Sequence, residues 1–434
     1  MKISSTIFYL FQKTSLCIFV LILTQSKAYA EQVLIPKQIP IPKEYFGLHI
    51  HKASSTQWPD TNFGSWRLLD AGVSWMNIQP EANNWDFSSL DNYAHLAKNK
   101  HIDLLMPLAY PATWASSKPE EKGPYGLGSA APPKNMDIWQ TFITKLAQRY
   151  NNNKAWGTIR NYEIWNEANE PGFFIGTQDE LLKLAETAYT AIKNVNPDNK
   201  LLSPSAVGGY GAFDWLDAYL AKGGGNYADI MAYHFYVPTE TPEAMVTKIN
   251  QVKAVLKKHK QSDKPLWNTE TGWWIQYTDG TPATNNSVDK TWLNLSPSEG
   301  AAFVSRALIL GWAAGLDRFY WYAWDSQNMG LIEPTTHTLK PAGLAFKTTE
   351  AWLTGNTLSE CKEDNNGLWV CDLINSDGTL SKILWTTTKE ISYEIPKDWQ
   401  NSPVNLSHLD GKNELIINNN FVVTDTPVLL THKI

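Results

Sequence analysis

The sequence predicts a (β/α)8 barrel, the α/β TIM-barrel class, followed by a small antiparallel β module. Three observations carry this. Between residues 45 and 354, short apolar runs alternate with amphipathic helical patterns, as repeated βα units require. That stretch holds eight candidate strands. After Gly355 the pattern changes to short alternating strands divided by Asn, Asp and Gly turns, which reads as antiparallel sheet.

The eight strands are read at 45–51, 73–80, 102–110, 159–166, 201–207, 229–237, 265–271 and 318–325. Between them, Ser296-Pro297-Ser298-Glu299 forms a capping box with a first-turn proline, and Gly315 can end the helix it starts. Thr241-Pro242-Glu243 begins a helix whose Met245, Val246, Ile249, Val252, Val255 and Leu256 share one stripe. Asp137 starts another, with Ile138, Phe142, Ile143 and Leu146 on its inner face. An open doubly wound sheet has the same periodicity. However, no Gly-x-Gly-x-x-Gly follows the first strand, so no nucleotide site supports that alternative.

Domain limits follow from composition. Residues 1–30 read as a signal peptide: Lys2 and Lys13 precede an apolar run at 16–23, and Ala28-Tyr29-Ala30 offers a cleavage site, so the mature chain is expected to start at Glu31. The run is shorter than the ~20 residues a spanning helix needs. The barrel then occupies 31–354 and the β module 355–434, with the proline-rich stretch 32–41 expected to pair with the module or run along its edge. Removing the leader takes away three lysines and no acids, moving the formal charge from −6 to −9. An acidic chain without a basic run is a poor partner for nucleic acid or anionic lipid. No later segment is apolar enough to span a bilayer, and a monomer in the periplasm or medium is expected. Cys361 and Cys371 flank Asp364-Asn365-Asn366-Gly367, a spacing that suits facing strands of a hairpin. A disulfide there agrees with an oxidising compartment.

Two acidic strand ends carry the chemistry. Asn161-Tyr162-Glu163-Ile164-Trp165-Asn166-Glu167-Ala168-Asn169 ends strand four, and Pro265-Leu266-Trp267-Asn268-Thr269-Glu270-Thr271-Gly272-Trp273 ends strand seven. Barrel enzymes build their sites at these ends. Glycosidic cleavage with retention needs two carboxyl groups about 5 to 5.5 Å apart. Glu163 shares strand parity with Glu167 but lies a layer deeper, where a partner such as Arg160 or another barrel residue is expected.

The Trp-Asn-Glu ending of strand four and the Glu ending of strand seven resemble those of the large clan of retaining barrel glycosidases. Within it, Glu163 to Asn169 and Tyr320-Trp321-Tyr322-Ala323-Trp324-Asp325 are most similar to glycoside hydrolase family 39 and to bacterial endoglycosidases acting on biofilm exopolysaccharides. The resemblance covers roughly residues 40 to 354 and rests on two short motifs in the right order. It implies Glu167 as acid/base, Glu270 as nucleophile, and Asn166 as a hydrogen-bond partner of the sugar 2-hydroxyl. It also places an aromatic or histidine at the end of strand six, here His234 and Tyr236, to orient the nucleophile. Trp324 becomes a platform under the sugar, and Trp114, Trp273 and Trp274 line neighbouring subsites. His49 and His51, ending strand one, are further lining candidates. Strand two as read, Trp75-Met76-Asn77-Ile78-Gln79, has no arginine where many clan members carry one near the nucleophile, so either another donor orients Glu270 or the pocket differs from the common pattern.

The expected function is therefore retaining hydrolysis of a polysaccharide or oligosaccharide, endo-acting on a bacterial exopolysaccharide, without a cofactor or metal. The gly- and pro-rich loop at 116–135 fits an extended cleft wall over strand three. Two alternatives keep the same barrel: a noncatalytic polysaccharide-binding protein and a transglycosylase. Retention of both glutamates with Asn166 argues against the first.

Overall fold

The computed structural model describes residues 32–283, 291–400 and 403–432; the leader expected at 1–30 lies outside them. Eight parallel strands form the central sheet: Phe46–His49, Ser65–Arg67, Asp103–Leu108, Asn161–Ile164, Lys200–Leu202, Met231–His234, Leu266–Thr271 and Arg318–Trp321. Their spatial order is their chain order, and strand one pairs with both strand two and strand eight. Strands five and six meet through parallel bridges, Leu202 to Ile230 and Val207 to His234, and the Ser203 amide donates to the Ile230 carbonyl at 2.9 Å. These contacts bring the two ends of the sheet together, giving the expected barrel.

Six of the eight strands fall within their predicted runs, and strand five starts one residue before its run, at Lys200. Strand two lies outside its run. Residues 73–80 fold instead as a loop and a short helix, Trp75–Ile78, entered through Ser74, whose hydroxyl and backbone exchange contacts with Asn77. Trp75 and Ile78, three residues apart, bury one helical face, so an apolar run that looks like a strand is satisfied as a helix. The true second strand, Ser65–Arg67, is three residues long and fully buried, and it turns polar side chains inward.

Helix punctuation largely follows the sequence. Ser296 caps the helix Pro297–Ala313 with the expected box to Glu299, and Gly315 follows in the left-handed region at φ 92°. The third predicted helix is capped by Asn135, whose side chain accepts from the Ile138 amide at 3.0 Å, rather than started by Asp137. Among the described residues no helix is long and apolar enough to cross a membrane.

The chain after Thr354, joined by Gln32–Leu34, builds a seven-stranded antiparallel sheet: Gln32–Leu34, Thr357–Glu363, Leu368–Ile374, Leu380–Thr386, Val428–His432, Val404–Ser407 and Asn413–Ile416, in that spatial order. Cys361 and Cys371 face each other in this sheet and form a disulfide. Trp369 and Trp385 stack at 5.3 Å, and Trp385 donates to Glu243 of the barrel at 2.9 Å. Arg306 completes the contact, its Nε 2.8 Å from the same carboxylate.

Candidate active site

Four strands deliver the polar cluster at the C-terminal mouth of the barrel. Strand four carries Glu163 inward, and its exit turns sharply, with Trp165 at φ 57° and Glu167 at φ 47°. Left-handed conformations at non-glycine residues are costly and cluster where function needs them. Here the buried Trp165 ring, donating to the Phe173 carbonyl at 2.8 Å, anchors the turn.

On strand seven the register shifts against both neighbours between Asn268 and the strand end. A bulge lets adjacent residues face the same side. Thr269 reaches Glu163 at 3.0 Å inside the barrel, and Glu270 points into the mouth beside it.

Arg67 joins these elements. Its guanidinium is fully buried and donates three ways: Nε to Glu163 at 2.6 Å, Nη1 to Glu270 at 2.9 Å and Nη2 to Asn166 at 2.8 Å. The missing strand-two arginine is thus present; the register was misplaced, not the residue. Glu163 pairs with Arg67 rather than Arg160, which bonds Asn152 and Asn199 at the barrel floor. A lone arginine in a strand too short to show a pattern was the available signal, because a buried guanidinium demands carboxylate partners.

Glu270 accepts a second bond, from the Tyr236 hydroxyl at 2.9 Å. His234 does not touch Glu270 as expected; its Nδ1 lies 2.9 Å from Glu167 instead. Single carboxylate oxygens of Glu167 and Glu270, with a His234 nitrogen, all lie within 4.8 Å of one another. Both residues are nearly closed from solvent.

Burial sets the charges. Desolvation pushes Glu167 up to about 8, against the pull of Arg67 and with a push from Glu170 and Asp70. Desolvation also raises Glu270, to about 7, opposed by His234 and Arg67 and reinforced by Glu167. His234 is pushed down to about 4 by burial and is therefore neutral near pH 7. Glu270 has two donors favouring its anion, one of them cationic, and Glu167 has one neutral imidazole. Glu270 is therefore the member that ionises first.

The histidines of strand one divide. His49 is fully buried, and its Nε2 lies 2.9 Å from the Thr269 carbonyl, bracing the backbone next to Glu270. His51 is half-buried at the mouth, 4.0 Å from Asp70 and with its ring 5.0 Å from Tyr322.

The expected aromatic lining is largely displaced. Trp324 is only 3% exposed and packs in the core, its indole aimed at the Gln57 carbonyl, so no ring face remains for a sugar. Tyr322 stands at the mouth instead, against His49 and His51. Trp273 is fully buried against Phe303 and Trp321, with its indole donating to the Val237 carbonyl. Trp274 packs with Trp292, which itself lies 6.0 Å from Tyr236. Trp114 is half-buried over the strand-three loop, donating to the Gln79 carbonyl at 3.0 Å. Tyr322 shares strand parity with the inward-facing Tyr320, which would have placed it at the mouth.

Comparison with known proteins agrees with this geometry. The sequence model of Glycosyl hydrolases family 39 matches residues 66–301. A β-xylosidase of Geobacillus stearothermophilus is 23% identical over 201 residues, 42% of this chain and 39% of its own. A β-xylosidase of Caldicellulosiruptor saccharolyticus is 29% identical over 139 residues, 30% of this chain and 26% of its own. The match therefore spans well under half the length of these relatives. Among solved structures, a glucosidase from Croceicoccus marinus superposes with TM-score 0.64 at 14% identity, covering 93% of this chain and 99% of the other. A β-xylosidase from Caulobacter crescentus CB15, described as monomeric, gives TM-score 0.63 at 14% identity, covering 92% and 97%. These likenesses are of fold.

Proposed function

The chain belongs to glycosyl hydrolase family 39, and from that premise we propose that it is a retaining glycoside hydrolase cleaving O-glycosidic bonds in a polysaccharide, with Glu270 as nucleophile and Glu167 as acid/base. The observation that carries this reading is the approach of the two carboxyls, whose oxygens come within 4.8 Å. That spacing suits direct attack on the anomeric carbon and leaves no room for the water an inverting enzyme places between carboxyls about 6.5 to 9.5 Å apart.

In the first step a Glu270 oxygen bonds to the anomeric carbon while the bond to the leaving oxygen breaks. Glu167, protonated because it is buried, gives that oxygen its proton. Esterification removes the Glu270 charge, so Glu167 can then take a proton from water, whose oxygen displaces Glu270. Asn166, fixed by Arg67, is placed beside the pair to meet the sugar 2-hydroxyl. Arg67 and Tyr236 hold Glu270 still through both steps, the support a reacting first shell requires.

Endo action on a bacterial exopolysaccharide draws support from the long wall over strand three, whose hairpin Lys122–Gly123 and Gly126–Leu127 stands beside the mouth. The relatives' activity favours a second reading, release of xylose from chain ends. Export is supported by the Cys361–Cys371 disulfide, and the Caulobacter structure supports a monomer.

The test is a panel of exopolysaccharides, xylan and aryl β-glycosides, followed by reducing ends and by proton NMR of the first-formed anomer. A product of unchanged anomeric configuration, with activity lost by at least a thousandfold in both Glu167→Gln and Glu270→Gln on unactivated substrates, is expected. An inverted product, or activity surviving both substitutions, refutes the assignment.

A further inference from the structure

A third carboxylate stands at the mouth that neither the family motifs nor the double displacement uses. Asp70 follows strand two by three residues, in the left-handed region at φ 60°. The Tyr125 hydroxyl, from the strand-three hairpin, donates to its Oδ1, and the Tyr322 hydroxyl, after strand eight, donates to its Oδ2 at 2.7 Å. His51, after strand one, approaches to 4.0 Å. Tyr322 packs against His49, which braces the Thr269 carbonyl next to Glu270, so Asp70 shares their end of the barrel, and it lines one cavity with Tyr110 and Tyr125. Its side chain is 22% exposed, against 11% and 9% for Glu167 and Glu270.

Three loops thus converge to hold one carboxylate without neutralising it. Each of its oxygens has two acceptor positions, and each has one tyrosine donor, so two positions remain for a ligand. A carboxylate held rigid beside the reacting pair suits donors in a fixed arrangement, such as adjacent hydroxyls of a pyranose ring. It repels a carboxylate in the same place.

Resting on the glycosidase reading, we propose that Asp70 is a specificity-determining residue, accepting hydrogen bonds from hydroxyls of the sugar bound over Glu270 and restricting that position to neutral sugars, to the exclusion of uronic acids. Tyr125 and Tyr322 act as positioning residues through Asp70.

The test compares wild type, Asp70→Asn, Tyr125→Phe and Glu270→Gln on aryl glycosides and polysaccharides of neutral sugars and on their uronic-acid counterparts. Asp70→Asn is expected to lower kcat/KM on neutral substrates by about 10- to 100-fold, the worth of one or two hydrogen bonds to a charged acceptor. It is also expected to narrow the preference over uronic acids by at least tenfold and to move both limbs of the pH profile to lower pH, since removing an anion eases ionisation of both glutamates. The shift of the limbs follows from the charge alone, whereas a purely structural Asp70 would leave the ratio of neutral to uronic-acid kcat/KM unchanged. Tyr125→Phe keeps the charge, so a smaller loss with unmoved limbs is expected, and it serves should Asp70→Asn fold poorly. Neutral-sugar kcat/KM within threefold of wild type in Asp70→Asn, an unchanged ratio of neutral to uronic-acid kcat/KM in that variant, or a wild type that prefers uronic acids overturns the proposal. If wild type and Glu270→Gln do not differ on any substrate, the glycosidase reading itself has failed.

Discussion

Arg67 holds three partners that no other side chain could hold together. Truncating it to Ala leaves Glu163 and Glu270 buried without their cation, a change expected to cost about 3–5 kcal/mol in urea-unfolding stability. Arg67→Lys keeps the charge but cannot fork to three acceptors, so we expect nearer-native stability with kcat/KM reduced at least tenfold. A kcat/KM near wild type in Arg67→Lys would show that the fork is not needed. The pair also sets a pH window. With Glu270 proposed as the ionised nucleophile and Glu167 as the protonated acid, kcat/KM is expected to fall as pH drops through about 7 and again as it rises through about 8, with both limbs belonging to the coupled pair. A profile flat from pH 5 to 10 contradicts this. At this scale the glutamates were legible, because a Trp-Asn-Glu run at a strand end is a local pattern. Arg67, Asp70 and Tyr322 were not, because their meaning lies in partners far along the chain. Arg67 is 96 and 203 residues from the carboxylates it joins.

Among the elements, strand two shows how a barrel hides a strand. Its three residues alternate Ser, Trp and Arg, and only Trp66 faces the helical layer, so hydrophobic periodicity has almost nothing to register. The neighbouring apolar run won because it was longer, although Ser74 ahead of it was a helix signal. Strand one carries a tighter constraint. A Cβ on Gly47 would stand 2.5 Å from the ring of Tyr320 and 2.8 Å from the Ser65 hydroxyl. Tyr320 is fully buried and cannot swing aside. Gly47→Ala is therefore expected to destabilise the barrel by about 1–3 kcal/mol, seen as a lower Tm by calorimetry; an unchanged Tm would mean the interior layer relaxes freely. The bulge in strand seven has no signature in the sequence, since it appears only when the register is followed on both neighbours.

Across the molecule, alternation of strand and helix signals made the barrel legible, and the loss of that alternation after Gly355 marked the second sheet. The pairing of the 32–41 stretch with that sheet was legible too, but the packing of barrel against sheet was not. Barrel residues such as Leu308 and Phe346 share one buried cluster with Trp369, Trp385 and the disulfide of the C-terminal sheet, while Gln32–Leu34 pairs into that sheet from the other end of the described chain. The closed barrel, braced in this way, lets strands two, four, six and seven present Arg67, Glu167, Tyr236 and Glu270 to one point. The central claim is that this point forms a covalent bond to sugar. It is tested most directly by turnover with a 2-deoxy-2-fluoro glycoside bearing a good leaving group, followed by peptide mass spectrometry. A single sugar adduct on Glu270, formed with stoichiometric burst and loss of activity, is the predicted result. An adduct on another residue, or turnover of non-fluorinated substrate by an enzyme that never accumulates one, would contradict the account.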